Sequence, residues 1–161
     1  MPAIKLLGPH EWLRLRDVRL RALHESPRSF LSTYEREKRY TEEQWRAEFI
    51  RGDWNMGFLK ERPVSLLGVT RELDAPAGER YLEFLWVAAE CRRSGIARTM
   101  LTDVLGRLRN DGVKTVFLWV LDGNELAMHL YKAVGFSSTN HRQPLPAHPS
   151  RCEERMRLDL I

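Results

Sequence analysis

The sequence is poor in features that would tie it to a metal, a membrane or an export route. It holds two cysteines, Cys91 and Cys152. A lone pair with no secretion signal reads as reduced, which leads us to expect a cytoplasmic protein. Residues 1–13 lack the apolar core of a signal peptide. The clean apolar run at residues 116–121, which no other run exceeds, has the length of a strand and falls far short of the ~20 residues a membrane span needs. The five histidines are scattered, and no Cys, His and carboxylate group has zinc-ligand spacing, so no metal is expected. No repeat, low-complexity stretch or linker interrupts the chain. The net charge is only +4, with 26 basic residues interspersed among 22 acidic ones. There is no basic tail, no recognition-helix motif and no basic-aromatic stripe, which argues against a nucleic-acid partner. A mild positive excess still suits an anionic small ligand. What remains is an ordinary globular balance, 43% hydrophobic and 30% charged. At 161 residues it is read as one domain, residues 1–161, with its own core.

Periodicity orders the elements. Residues 11–24 are loosely helical, with Trp12, Leu15, Val18 and Leu23 available to bury, and Ser26-Pro27 breaks the pattern. Residues 29–40 fit a short helix or a loop. A second helix starts at Thr41, where Thr41 and Gln44 fit a capping box, and Gly52-Asp53 ends it. Strands are predicted over 55–60, 63–71 and 80–87, with a turn at 74–78 before the third. Ala97, Leu101, Val104, Leu105 and Leu108 mark a strongly amphipathic helix, stopped near Gly112. Residues 113–121 read as a strand covered on both faces. A further helix runs from Asn124 to Gly135, a short strand begins at Phe136, residues 143–149 read as loop, and 155–160 close the chain as a strand. This order predicts a mixed α/β fold: a central mixed, twisted sheet with helices on both faces.

The junction between the third strand and the amphipathic helix carries the most chemistry. Its residues are Arg92, Arg93, Ser94, Gly95, Ile96, Ala97 and Arg98. A strand that ends, a short basic loop and a strong helix together aim free backbone N–H groups at one point, and the helix dipole adds positive charge. Gly95 lets a ligand approach without a side chain in the way. The combination suits a pyrophosphate. A solvated, capping turn is the plainer reading of the same residues. Neither a P-loop nor a three-glycine dinucleotide fingerprint is present.

Arg92-x-x-Gly95-x-Ala97 resembles the Arg/Gln-x-x-Gly-x-Gly/Ala signature of the GNAT acyltransferases. A second block, Asn124-x-x-Ala127-x-x-x-Tyr131-x-x-x-Gly135-Phe136, is similar to another motif of that family and lies at the usual distance after strand 113–121. The N-terminal run through Leu20, Leu23, Phe30, Tyr34 and Trp45, and the stretch 142–146, also resemble bacterial members.

The resemblance implies a sheet whose fourth and fifth strands splay apart to admit CoA. It implies an N-acetyltransferase that moves acetyl from acetyl-CoA to a primary amine, on a small molecule or a protein, by direct attack in a ternary complex. It places the CoA pyrophosphate on the backbone of residues 92–98. The pantetheine arm falls along Leu85, Trp86 and Val87, where an N–H can face the oxyanion. Asn124 and Ala127 fall beside the cofactor. Asn124 also reads as a plain N-cap. Tyr131 matches the family's general acid, although its spacing alone favours a core aromatic. The base is a departure: many members carry a glutamate where this chain has Tyr81. Glu83, two residues on and on the same strand face, is the candidate base, or else a surface carboxylate. That departure leaves a catalytically inactive CoA-binding module as the alternative. The acceptor is unnamed by sequence. Its contacts are expected from residues 26–40, 74–78 and 143–151, and the basic Arg28, Arg36, Lys38 and Arg39 favour an acceptor with a carboxylate. Homodimers are common in the family.

Overall fold

The computed structural model describes all residues, 1–161. In chain order it consists of β1 (Ala3–Leu6), α1 (Trp12–Glu25), α2 (Tyr34–Glu37), α3 (Glu42–Arg51), β2 (Gly52–Leu59), β3 (Arg62–Thr70), β4 (Glu79–Val87), α4 (Ile96–Asn110), β5 (Thr115–Leu121), α5 (Glu125–Val134), β6 (Ser137–Pro144) and β7 (Cys152–Asp159). The strands form one seven-stranded mixed sheet in the order β1-β2-β3-β4-β5-β7-β6. β4 and β5 are its parallel pair, and every other pairing is antiparallel.

Helices cover both faces, and neighbouring residues of β2 show it. Trp54 lies under Arg19 of α1 and donates from its indole to the Glu48 carbonyl of α3 at 3.3 Å. Asn55, the next residue, accepts from Arg107 of α4. Side chains alternate across a strand, so α1 and α3 lie on one face and α4 on the other, with α5 packed beside α4. The amphipathic stripe of α4 is buried as its spacing predicts, through Ile96, Met100, Leu101, Val104, Leu105 and Leu108. Thr41 and Gln44 form the expected capping box at α3. No helix is long and apolar enough to cross a membrane.

The structure differs from the sequence reading at both edges. β1 was not expected: it has four residues, three of them exposed, so no burial pattern marks it. β6 runs to Pro144, where a loop was expected, and its mostly exposed SSTNHRQP carries no apolar alternation. β7 starts at Cys152 instead of residue 155, and Glu153 thereby moves from a loop into a strand.

Two features shape the centre of the sheet. β4 pairs with β5 only from Glu79 to Tyr81, opposite Thr115 to Phe117. Beyond Tyr81 the two strands part, which is the splay the resemblance implies. The register of β3 against β4 shifts between Leu66 and Gly68, and Phe84 sits there at φ 54°. A bulky residue in the left-handed region is strained, at a cost of order 1–3 kcal/mol. The extra residue of this bulge turns Glu83 and Phe84 to the same face. Phe84 stacks on Phe30 at 4.0 Å and lies under the Arg19 guanidinium at 4.2 Å. The same arginine makes a buried two-point ion pair with Glu37, at 2.8 and 2.5 Å. α1, α2 and the kink in β4 are thus bound into one unit.

Candidate functional site

The basic turn lies at the C-terminal end of β4. Gly95 is the N-cap of α4 at φ 84°, a conformation glycine adopts without penalty, and Arg93 is also left-handed at φ 61°. The backbone N–H groups of residues 93–98 have no acceptor in the protein, from backbone or side chain. Six free donors at a helix N-terminus are an arrangement that suits an anion, and the helix dipole adds to it. The Arg93 and Arg98 side chains are exposed and unpaired. Arg92 behaves differently. Its N–H bonds to the Ala89 carbonyl at 3.4 Å. Its guanidinium folds back to donate to Val87 O at 3.0 Å, Ser26 Oγ at 2.9 Å and Glu25 at 3.2 Å. Arg92 therefore ties the end of α1 to the turn.

From this turn the free edge of β4 leads into the splay. Ala88 N–H donates to Val64 O. By alternation the Trp86 N–H also faces β3, and those of Leu85 and Val87 face the gap. The Trp86 indole lies on the α1 face under Arg21. The gap itself is a cleft of about 190 Å³, with Leu82, Leu85, Leu101, Leu118, Ala127 and Tyr131 on its walls. Asn124 opens beside it and caps α5, its Oδ1 accepting from Ala127 N–H at 3.2 Å. Tyr131 packs edge-on against Phe136 at 5.9 Å. Burial pushes its phenol up to about 12 from an ordinary value of 10.0, because the phenolate would lose its hydration there.

A second cleft, of about 330 Å³, opens on the α1 face and shares Phe30, Leu82, Glu83, Phe84 and Trp119 with the first. The two adjoin at the splay, and together they are termed the passage. Glu83 lines both parts, beside Gly68, whose missing side chain leaves room: a Cβ there would come within 2.8 Å of the Trp54 ring and 3.1 Å of Glu83 Cγ. Arg51 donates to one Glu83 oxygen and bonds Glu48 at 2.9 Å. Tyr81 lines the same cleft with its ring stacked on Phe117 at 5.3 Å. One lining residue escaped sequence reasoning. Glu153 of β7 is buried in the cleft wall and accepts from Gln143 Nε2 at 2.7 Å. A strand begun three residues earlier would have exposed it as a carboxylate pointing inward. No group of three or more His, Cys, Asp or Glu residues is arranged to hold a metal, and Cys91 and Cys152 are both free.

The profile of the acetyltransferase (GNAT) family matches residues 19–136. This chain belongs to the GNAT family. A mycothiol acetyltransferase from Thermobispora bispora is 32% identical over 134 residues, covering 78% of this chain. The chain spans 42% of that relative's length. Among solved structures, a GNAT acetyltransferase from Streptococcus pneumoniae superposes with a TM-score of 0.84 at 16% identity, over 100% of both chains. The ribosomal-protein-S18-alanine N-acetyltransferase from Escherichia coli gives 0.72 at 19% identity, over 99% of this chain and 94% of its own. The protein yncA from Salmonella typhimurium, solved with its cofactor acetyl-CoA, gives 0.78 at 12% identity, over 100% and 95%. The GNAT family is a family of acetyltransferases that use acetyl-CoA as acyl donor.

Proposed function

We propose that residues 1–161 act as one catalytic domain that transfers acetyl from acetyl-CoA to a primary amine by direct attack in a ternary complex. The observation that carries this reading is the adjacency of the two clefts at the splay, below the basic turn. Unpaired N–H groups of residues 93–98 stand at one end, Tyr131 lies in the splay, and Glu83 belongs to both clefts.

In this reading the pyrophosphate rests on the turn N–H groups, with Arg93 and Arg98 adding charge. The pantetheine arm enters the splay along the free edge of β4, taking the N–H groups of Leu85 and Val87. Asn124 and Ala127 border it. The amine approaches from the α1 face. An alkyl ammonium with pKa near ~10 must lose a proton before attack, and Glu83 accepts it directly or through a water. As the tetrahedral intermediate forms, a β4 N–H facing the gap stabilises the oxyanion. The sulfur then departs toward the Tyr131 hydroxyl. A phenol held near 12 stays protonated throughout the working range. It is a weaker acid than a thiol of pKa near ~8.5, so its contribution comes as a hydrogen bond to the developing sulfur charge. The test is thiol release from acetyl-CoA with a panel of primary amines. Amine-dependent release supports the reading, and release that no amine accelerates overturns it.

A further inference from the structure

A third cleft, of about 460 Å³, adjoins the acceptor side of the passage and shares Phe30, Leu31 and Leu121 with its outer wall. It lies between the turn after α1 and the turn that joins β6 to β7. Arg28, Arg36 and Arg151 all line it, with His148, and no carboxylate does. None of the three arginines has an acidic partner, whereas the two arginines of the adjoining acceptor cleft are neutralised: Arg19 by Glu37, and Arg51 by Glu48 and Glu83. Three unpaired guanidinium groups at one mouth repel one another, an arrangement that an anion relieves.

Hydrogen bonds fix the backbone that carries two of these arginines. Leu145 is buried, and Leu145 N–H to Arg151 O, Arg151 N–H to His148 O and His148 N–H to Leu145 O, at 2.8 to 3.2 Å, lock the turn that carries Arg151. Thr33 Oγ accepts from Arg36 N–H at 3.2 Å and fixes the start of α2. Across the shared wall the polarity reverses. Beside the paired Arg19 and Arg51, the acceptor cleft is lined by Glu72, Glu83 and Glu153. In that cleft Ser32 Oγ is buried without a partner. The two compartments together match a molecule with an amine at one end and a negative charge at the other.

We infer that the acceptor is a small aminocarboxylate, its carboxylate held by Arg28, Arg36 and Arg151 while its amine reaches Glu83. This rests on the transfer reading above and names its substrate class. Arginine presents paired donors that fit a carboxylate's two oxygens, and an apolar floor of Phe30, Leu31, Leu121 and Leu145 accepts the intervening carbon chain.

The experiment measures acetyl-CoA thiol release for straight-chain ω-amino carboxylates of increasing length, each beside its ω-amino amide and its ω-amino phosphate monoester. At the preferred length the carboxylate should exceed the amide in kcat/KM by about tenfold or more, chiefly through acceptor KM. The excess should shrink as salt rises. Arg28→Gln, Arg36→Gln and Arg151→Gln should each reduce the carboxylate-to-amide ratio, and the triple variant should bring it to about one. Lysine at the same positions should restore part of it. Amides that turn over as well as the acids overturn the anion site and leave the transfer reading standing. A phosphate preferred over the carboxylate overturns the commitment to a carboxylate. Variants that lower acid and amide equally make the arginines structural. Release that no amine accelerates overturns both proposals.

Discussion

The donor side and the acceptor side of this passage are built on different principles. On the donor side the functional atoms belong mainly to the backbone: the N–H groups of residues 93–98 and the free edge of β4. Their positions follow from where a strand ends and a helix begins, so the turn needs small residues and a left-handed glycine more than any particular side chain. On the acceptor side the functional atoms are side chains from separate segments. Glu83 comes from β4, Glu153 from β7, Arg36 from α2 and Arg151 from a turn. In the proposed function, backbone chemistry holds the cofactor, and side chains from separate segments choose the substrate.

The comparison breaks most severely at Gly95. Gly95→Glu should abolish thermal stabilisation by CoA, because it places a bulky anion in a left-handed position facing the pyrophosphate. Only Met1 Cε, at 3.4 Å, lies near its would-be Cβ, so the structural cost is the backbone strain of a non-glycine residue at φ 84°, about 1–2 kcal/mol; the fold should be weakened but retained, which circular dichroism checks. At the seam of the two halves, Tyr131→Phe should lower kcat by roughly a hundredfold, at the low end of general-acid effects, with little change in acetyl-CoA binding. Near-normal kcat would make Tyr131 a core aromatic. On the acceptor side, Glu83→Gln should cost roughly tenfold or more near neutral pH, and the loss should shrink at high pH, where free amine is abundant. An unchanged pH profile points to Glu153 or Tyr81 instead. The wall behind that base is tested by Gly68→Ala. The added methyl meets Trp54 and Glu83, so about 1–3 kcal/mol of stability should be lost, read by denaturant midpoint.

The smallest effect concerns the Tyr131 phenol. Its proton affinity is higher folded, about 12, than in the open chain, near 10.0. The neutral form is therefore favoured by the fold. This contribution is fully present below about pH 10 and is lost as the pH rises toward 12. In a spectrophotometric titration of the four tyrosines, one phenol should ionise last, and Tyr131→Phe should remove that last step.

The same contrast explains what the sequence made legible. α4 and β5 announce themselves because burial on one face or both imposes a period on their residues. The turn 92–98 was readable because its spacing between a strand, Gly95 and a helix matches a family motif. Asn124 and Tyr131 came from a second fixed block. The bulge at Phe84 left no local mark: the strain of an aromatic at φ 54° is repaid by Phe30 and Arg19, both far away in sequence. Edge strands β1 and β6 are exposed and carry no pattern. Glu153 was hidden by the late start predicted for β7. The arginines were visible one by one, but their convergence depends on two turns meeting in space.

The central claim is that the backbone of residues 93–98, with the splay beside it, binds CoA. Thermal unfolding of the wild-type protein, with and without millimolar CoA or acetyl-CoA, tests it most directly. A ligand at a hundredfold excess over its Kd adds about 2.7 kcal/mol, which for a chain of this size raises Tm by roughly 5 °C or more. The account predicts such a rise for both ligands. An unmoved Tm at millimolar concentrations of both would contradict it.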